Sequence, residues 1–245
     1  MSRRNTAPKP RLAGAVTIAY VHDTDVAHSW HRSMVDLLLH DLGTSTRVMR
    51  GGYIAVRYST GGIVKARNEA VAMFMAAKED SEWLFWVDTD MGFADDTLAK
   101  LLEVADPTEH PIVGALCFAS KEIRPDGLNG YWTAPLPTVM DWHVQPDGVA
   151  GFLARHDYEK DAVVRCSGTG SACILIHRSV FERLGPAPYE PLRNPTTGDL
   201  IGEDLSFCAR AAQADIPIHV HTGVPTSHLK PIWMGEAQFA MWPRS

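Results

Sequence analysis

At 245 residues, 45% of them hydrophobic, the chain is long enough to bury a substantial core and sits in the range of one α/β domain rather than two. A formal charge of −6 and a pI near 6.0 argue against broad electrostatic capture of nucleic acid, which needs a basic face or stripe. No apolar run approaches the roughly 18 residues that cross a bilayer, and the four cysteines (Cys117, Cys166, Cys173 and Cys208) lack both CxxC spacing and the density of a disulfide scaffold, which fits a reducing cytoplasm and speaks against thiolate zinc.

Residues 1–13 read as a loose tail: MSRRNTAPKPR is basic and proline-bearing, with no apolar stretch of a secretory signal behind it. Residues 15–21 (AVTIAYV) read as a buried strand. Ser29 is placed to cap a helix whose apolar residues Trp30, Met34, Leu37, Leu38 and Leu42 share a face, with Gly43 placed to end it. Residues 53–58 (YIAVRY) read as a second strand, and Gly61 and Gly62 precede a helix over about 67–78. Residues 83–87 (WLFWV) form a third strand, Asp95 or Asp96 caps a helix through about Val104, and residues 111–118 (PIVGALCF) make a fourth strand. From 119 to 161 the pattern dissolves into Pro, Gly, Trp and charge, a length that signals a functional loop or short irregular strands. Tyr131, Trp132 and Trp142 there either stack on a ligand or cover the core. Order returns with strands over 162–166 and 172–177, separated by the Gly168-Thr169-Gly170 turn. A short helix to Leu184, a helix opened by Gly202-Glu203-Asp204 and running to about Ala214, and a last strand over 217–221 complete the chain. Strands alternating with helices predict a mainly parallel mixed sheet flanked by helices.

The chemistry starts at Asp88-Thr89-Asp90. Carboxylates at i and i+2 just past a buried strand emerge at its carboxyl end, where open α/β sheets bind ligands. Hard oxygen ligands there suit Mg²⁺ or Mn²⁺ bridging a diphosphate. A second triplet, Asp23-Thr24-Asp25, follows the first strand, but its polar surroundings suggest an exposed turn. Glu203 and Asp204 open a helix, where acidic residues also serve simply as favourable partners of the macrodipole. His228, one of eleven histidines, lies in a polar segment beyond the last strand, with His219 and His221 at strand spacing nearby.

The order of these elements resembles the GT-A glycosyltransferases, particularly small family-two-like enzymes of bacteria and their phages. The segments that carry the resemblance are ARNEA at 66–70, WVDTDMGF at 86–93, GTGSACILIHRSVFERLG at 168–185, GEDLSFCARA at 202–211 and TSHL at 226–229, within a span of roughly 14–230. The resemblance implies one GT-A-like catalytic domain over 14–230, with a donor half to about 118, an acceptor half from 119, and a tail over 231–245. It implies a nucleoside-diphosphate sugar, UDP-sugar favoured, and a Mn²⁺ or Mg²⁺ ion held by Asp90 and His228. Asp88 would touch the ribose or a water on the metal, and so counts among both the metal and the donor-binding residues. Tyr20 and Val21 would lie beside the nucleoside, Arg67 and Asn68 would serve the donor site, and Gly168 and Gly170 would let backbone approach the sugar. Asp204 would be the general base of an inverting enzyme, with Glu203 orienting acceptor hydroxyls. The acceptor is left open between a protein, a modified nucleobase, a glycan and a small molecule, and the cytoplasm is that of a host if the chain is phage-encoded. Two other classes compete: a nucleotidyltransferase-like enzyme, for which HDTDVAHSW is a poor phosphate-cradling loop, and a non-catalytic nucleotide-sugar-binding module.

Overall fold

The structure is a computed structural model that describes residues 14–58, 61–77, 81–124 and 131–233, so the expected tail over 1–13 and most of that over 231–245 lie outside the described residues. In chain order the elements are β1 (Val16–His22), α1 (His28–Thr44), α2 (Arg47–Gly51), β2 (Tyr53–Arg57), α3 (Gly62–Ala76), β3 (Trp83–Val87), β4 (Met91–Gly92), α4 (Thr97–Val104), β5 (Ile112–Leu116), β6 (Phe118–Ile123) and β7 (Trp132–Pro137). They continue with β8 (Met140–Val144), β9 (Ala150–Ala154), β10 (Val163–Cys166), β11 (Cys173–His177), α5 (Arg178–Leu184), α6 (Glu203–Gln213), β12 (Ile218–Pro225) and β13 (Ser227–His228).

Seven strands form one sheet in the order β10-β12-β5-β11-β3-β1-β2. Its pairings make β2, β1, β3, β5 and β12 run one way and β11 and β10 the other, so the sheet is mixed but mainly parallel. Strands on both sides of residue 118 share it. The continuous apolar runs have a simple cause: β3 and β5 are interior strands with every residue buried, because helices or loops cover both faces. Alternate side chains divide between two cores. Leu84 and Trp86 join Phe74, Phe181 and Phe207 on one face, while Trp83, Phe85 and Val87 join Trp30, Leu37 and Leu101 on the other.

Local readings shift where tertiary contacts intervene. The first helix starts at His28 with Ala27 in the cap position, so Ser29 is not its cap; its hydroxyl instead faces the Met91 carbonyl at 3.4 Å. Gly43 lies inside that helix, and Leu42 is exposed rather than on the core face. Asp41 explains the unanticipated α2, because its carboxylate accepts the Arg47 and Val48 backbone N–H groups at 2.8 and 3.0 Å. That short helix ends at Gly51, where a Cβ would strike the Val16 carbonyl at 2.0 Å, so only glycine lets the turn press on β1. The third helix begins at Gly62, a turn before the expected Arg67. Asp96 occupies the cap position of α4 but pairs with Lys100 at 2.9 Å instead of capping. The expected fourth strand is divided at Cys117 into β5 and β6, and the last strand runs on to Pro225 through a register shift after His221. Within 119–161 stand β7, β8 and β9, forming two antiparallel hairpins, β6 with β7 and β8 with β9. Tyr131, Trp132 and Trp142 are exposed on them, so they do not cover the core. The four cysteines are free and buried. Among the described residues no helix is long and apolar enough to cross a membrane.

Candidate active site

Asp88 and Asp90 leave the carboxyl end of β3, beside the start of α6 on one side and β13 on the other. The two carboxylates, two residues apart, meet opposite surroundings. Asp88 turns inward to Arg67, a fully buried α3 side chain whose Nη2 donates to both of its oxygens at 3.0 and 3.1 Å. The guanidinium lies over the Trp86 and Tyr189 rings, 5.2 and 5.6 Å from their centroids, which lets a buried cation retain favourable contacts on faces without oxygen. The same group stands 3.8 Å from Glu203 Oε1 and 3.7 Å from Asp204 Oδ1, at ion-pair rather than hydrogen-bond range. One arginine therefore collects three carboxylates from two distant motifs. Among the described residues its Nε and Nη1 find no hydrogen-bond partner, nor does the buried Asp204 Oδ1.

Burial raises the Asp88 carboxyl above its ordinary range, Arg67 opposes that, and Asp204 and Asp90 add to it. Glu203 is likewise raised, first by burial and then by its neighbour Asp204. Clustered carboxylates resist simultaneous ionisation, and one buried guanidinium is too little positive charge for all of them.

Asp90 faces the other way. Its Oδ2 accepts from Lys230 Nζ at 2.7 Å and lies 3.1 Å from His228 Nε2. Burial pushes this carboxyl up, but the hydrogen bonds from His228 and Lys230 outweigh it and hold the group down at about 2. His228 arrives on β13, which pairs antiparallel with β4 in the register His228↔Met91, and the Leu229 N–H donates to the Asp90 carbonyl at 2.8 Å. The other ring nitrogen, Nδ1, sits 2.9 Å from the Phe118 carbonyl. Both ring nitrogens therefore face acceptor oxygens, and with Nδ1–H donated to Phe118, Nε2 is the nitrogen that a metal would take in place of its hydrogen bond to Asp90.

Several anticipated donor-site residues are occupied structurally. Asn68 Oδ1 accepts the Tyr189 backbone N–H at 3.0 Å. Val21 is buried in the core, and Tyr20 packs edge-on to Trp30 at 5.0 Å. A Cβ on Gly168 would meet Phe152 at 2.9 Å and Leu205 at 3.0 Å, so its bare backbone is required by packing. At Gly170 a Cβ would lie 3.9 Å from Asp204 Oδ2, which puts that backbone beside the acidic pair. The expected ligand set of Asp88, Asp90 and His228 does not converge on one point: among the described residues no three His, Cys, Asp or Glu side chains form a metal-ligating group, because Asp88 is drawn to Arg67. Lys230 was not anticipated; it stands two residues past His228, just beyond the end of β13. Nor was Tyr189, which stacks on Phe207 at 5.0 Å and floors the arginine. A cavity of about 650 Å³ lined by Trp142, Phe152, Arg165, Leu192, Arg193 and Ile216, among others, includes none of the site carboxylates.

No protein-family model matches this sequence, and no curated protein sequence matches it. Solved structures do match in three dimensions. A crystal structure of GalNAc-T7 with UDP, GalNAc and Mn²⁺ aligns with a TM-score of 0.52 at 13% identity, over 87% of this chain and 43% of that one, so this chain spans less than half of that protein. The crystal structure of A197 from STIV aligns with a TM-score of 0.47 at 15% identity, over 88% of this chain and 86% of that one. The fold of this chain is that of the GT-A glycosyltransferases.

Proposed function

We propose that the chain is a metal-dependent glycosyltransferase that moves a sugar from a nucleoside diphosphate, UDP favoured, to an acceptor hydroxyl with inversion. The observation that carries this reading is the meeting, at the carboxyl end of β3 on a GT-A fold, of Asp90 with His228 and of Arg67 with Glu203 and Asp204. The likeness to a structure that holds UDP, GalNAc and Mn²⁺ supports the donor class and the cation.

The residues present fit a divalent ion. Asp90 Oδ2 and His228 Nε2 offer one oxygen and one imidazole nitrogen, with the histidine tautomer set by Phe118. Two protein ligands suffice for Mg²⁺ or Mn²⁺ when diphosphate oxygens and water fill the remaining positions. When bound, such an ion supplies positive charge opposite the leaving diphosphate. Asp88, already held by Arg67, is left to the ribose hydroxyls, and Tyr20 lies on the strand beside it for the nucleoside. Gly170 gives the sugar a bare stretch of backbone next to Asp204. The Asp204 carboxylate takes the acceptor proton while the acceptor oxygen attacks the anomeric carbon and the nucleoside diphosphate departs. Glu203, raised by burial and by Asp204, is suited to stay protonated longer and orient the acceptor.

The direct test is hydrolysis of nucleotide sugars by the purified chain with Mn²⁺ against EDTA. Turnover of a UDP-sugar only with the ion supports the reading. Turnover of nucleoside triphosphates with release of pyrophosphate, or equal UDP binding with and without the ion, would overturn it.

A further inference from the structure

The Asp90 oxygen that meets His228 is already occupied by a cation of the protein's own. Lys230 Nζ donates to Asp90 Oδ2 at 2.7 Å, closer than His228 Nε2 at 3.1 Å. Its backbone is fixed on both sides. The Leu229 N–H donates to the Asp90 carbonyl at 2.8 Å, the Trp233 N–H donates to Thr133 Oγ1 at 3.1 Å, and Trp233 Nε1 donates to Glu122 Oε1 at 2.9 Å. The strap over 229–233 thus ties the carboxyl end of β3 to the β6–β7 hairpin. The Lys230 side chain, a flexible four-carbon stem with a partly exposed head, is the part free to move.

Charge supplies the second argument. Among the described residues, the permanent cations paired with Asp88, Asp90, Glu203 and Asp204 are Arg67 and Lys230. Arg67 is immobilised by Asp88 and two aromatic rings, so it neither leaves nor reaches a ligand. Lys230 is able to do both. A divalent ion at Asp90 and His228 and an ammonium on the same carboxylate oxygen repel each other, and a diphosphate arriving at that edge is the natural new partner for the displaced ammonium.

Resting on the metal reading above, we propose that Lys230 is an exchangeable counter-ion: it occupies Asp90 in the free protein, yields that oxygen to the divalent ion, and transfers to the donor diphosphate. The residue thereby opposes metal binding before the nucleotide arrives and favours nucleotide binding afterwards. A merely structural lysine would not act with opposite signs in the two steps.

The experiment is Mn²⁺ binding followed by electron paramagnetic resonance, with and without UDP, in the full chain and in Lys230→Met and Lys230→Arg. Without nucleotide, Lys230→Met is expected to bind Mn²⁺ about tenfold more tightly, the scale of one neighbouring charge at a half-exposed site. With Mn²⁺ saturating, the same variant is expected to bind UDP about tenfold more weakly by calorimetry, and Lys230→Arg to keep both parent affinities within about threefold. Mn²⁺ affinity in Lys230→Met that is unchanged or lowered, or UDP affinity that is not lowered, overturns the exchange. Failure of the parent chain to bind Mn²⁺ at all, with or without UDP, overturns the metal reading itself and the exchange with it.

Discussion

The chain carries the tripeptide Asp-Thr-Asp twice, each time just beyond the carboxyl end of a strand, and the two strands are parallel neighbours in one sheet. Asp23 and Asp25 follow β1 and are exposed. Asp88 and Asp90 follow β3 and are half-buried, one on Arg67 and the other on His228 and Lys230. Identical letters at equivalent positions thus have different chemistry, and position in the sheet decides it. β3 lies between β1 and β11, so α3, α6 and β13 bring side chains to its end, while β1 opens toward the sheet edge formed by β2. Both strands are interior to the sheet, but among the described residues it is the Asp88 and Asp90 carboxylates that find side-chain partners from elsewhere in the chain.

The largest effect that would break this contrast belongs to Asp204. Asparagine is close in shape and caps a helix about as well, but it does not accept a proton. Asp204→Asn is expected to fold, to bind UDP with Mn²⁺ near the parent affinity, and to lose roughly two to four orders of magnitude in kcat, the usual worth of a positioned general base. Sugar transfer by the folded variant near the parent rate would return Asp204 to the role of a helix-start carboxylate, no different in kind from Asp23.

Next comes Arg67, which makes the inner half of the second triplet what it is. Replacing it by Met removes both of its hydrogen bonds to the Asp88 carboxylate and leaves buried negative charge uncompensated, a loss of roughly 3–5 kcal/mol. Urea denaturation should show the midpoint falling, with much of the loss recovered in Arg67→Met/Asp88→Asn. An unchanged midpoint in the single variant would mean that the cluster is solvated like the first triplet.

The contrast also shows what was legible in the amino-acid sequence. Residues 83–87 are readable because an interior strand buries both faces, and five consecutive apolar residues admit little else; the carboxylates after it follow. Glu203 and Asp204 are readable for a similar reason, since a helix start gives acidic residues a fixed place. The resemblance put Arg67 at a donor site, but its place as the buried centre of three carboxylates was not legible, because nothing local says that Trp86 and Tyr189, far apart in sequence, will shelter it. Lys230 was hidden in the same way: its role depends on β13 pairing with β4, a two-residue contact. Short irregular strands were one of the two readings of 119–161, but the bounds and pairing of β6 to β9 were not legible, because few of their residues are buried and they lack the strict alternation that marks a half-buried sheet. Ser29 misled because a good capping residue near a helix start is also a good partner for a neighbouring carbonyl.

A smaller effect compares the triplets directly. Asp90→Ala should weaken Mn²⁺-dependent UDP binding by at least about tenfold, whereas Asp25→Ala should stay within about twofold, since exposed carboxylates without partners contribute little. Calorimetry on both variants reads the ranking at once. A larger loss at Asp25 would move the metal to the neighbouring strand.

The smallest effect tests whether the histidines obey the same rule as the aspartates. His228 ends on a carboxylate, whereas His219, on β12, is buried edge-on to His110 with ring centroids 4.3 Å apart and has Arg165 opposite it on β10. Burial, His110 and Arg165 all disfavour its charged form and lower it to about 4. An unfolded histidine takes up its proton near pH 6.5. As pH falls from there toward 4, the unfolded chain therefore binds a proton that the native chain refuses, and stability declines across that window. Below about 4 the native state binds it too, and this contribution to the slope ends. Replacing His219 by Gln removes the titration while keeping a polar side chain of similar reach. Urea midpoints measured from pH 7 to 4.5 should thus fall less steeply for His219→Gln than for the parent, while UDP binding with Mn²⁺ at pH 7 stays as it was. Parallel pH dependences would show that His219 is protonated in the native chain, and loss of UDP binding in the variant would put the wrong histidine at the site.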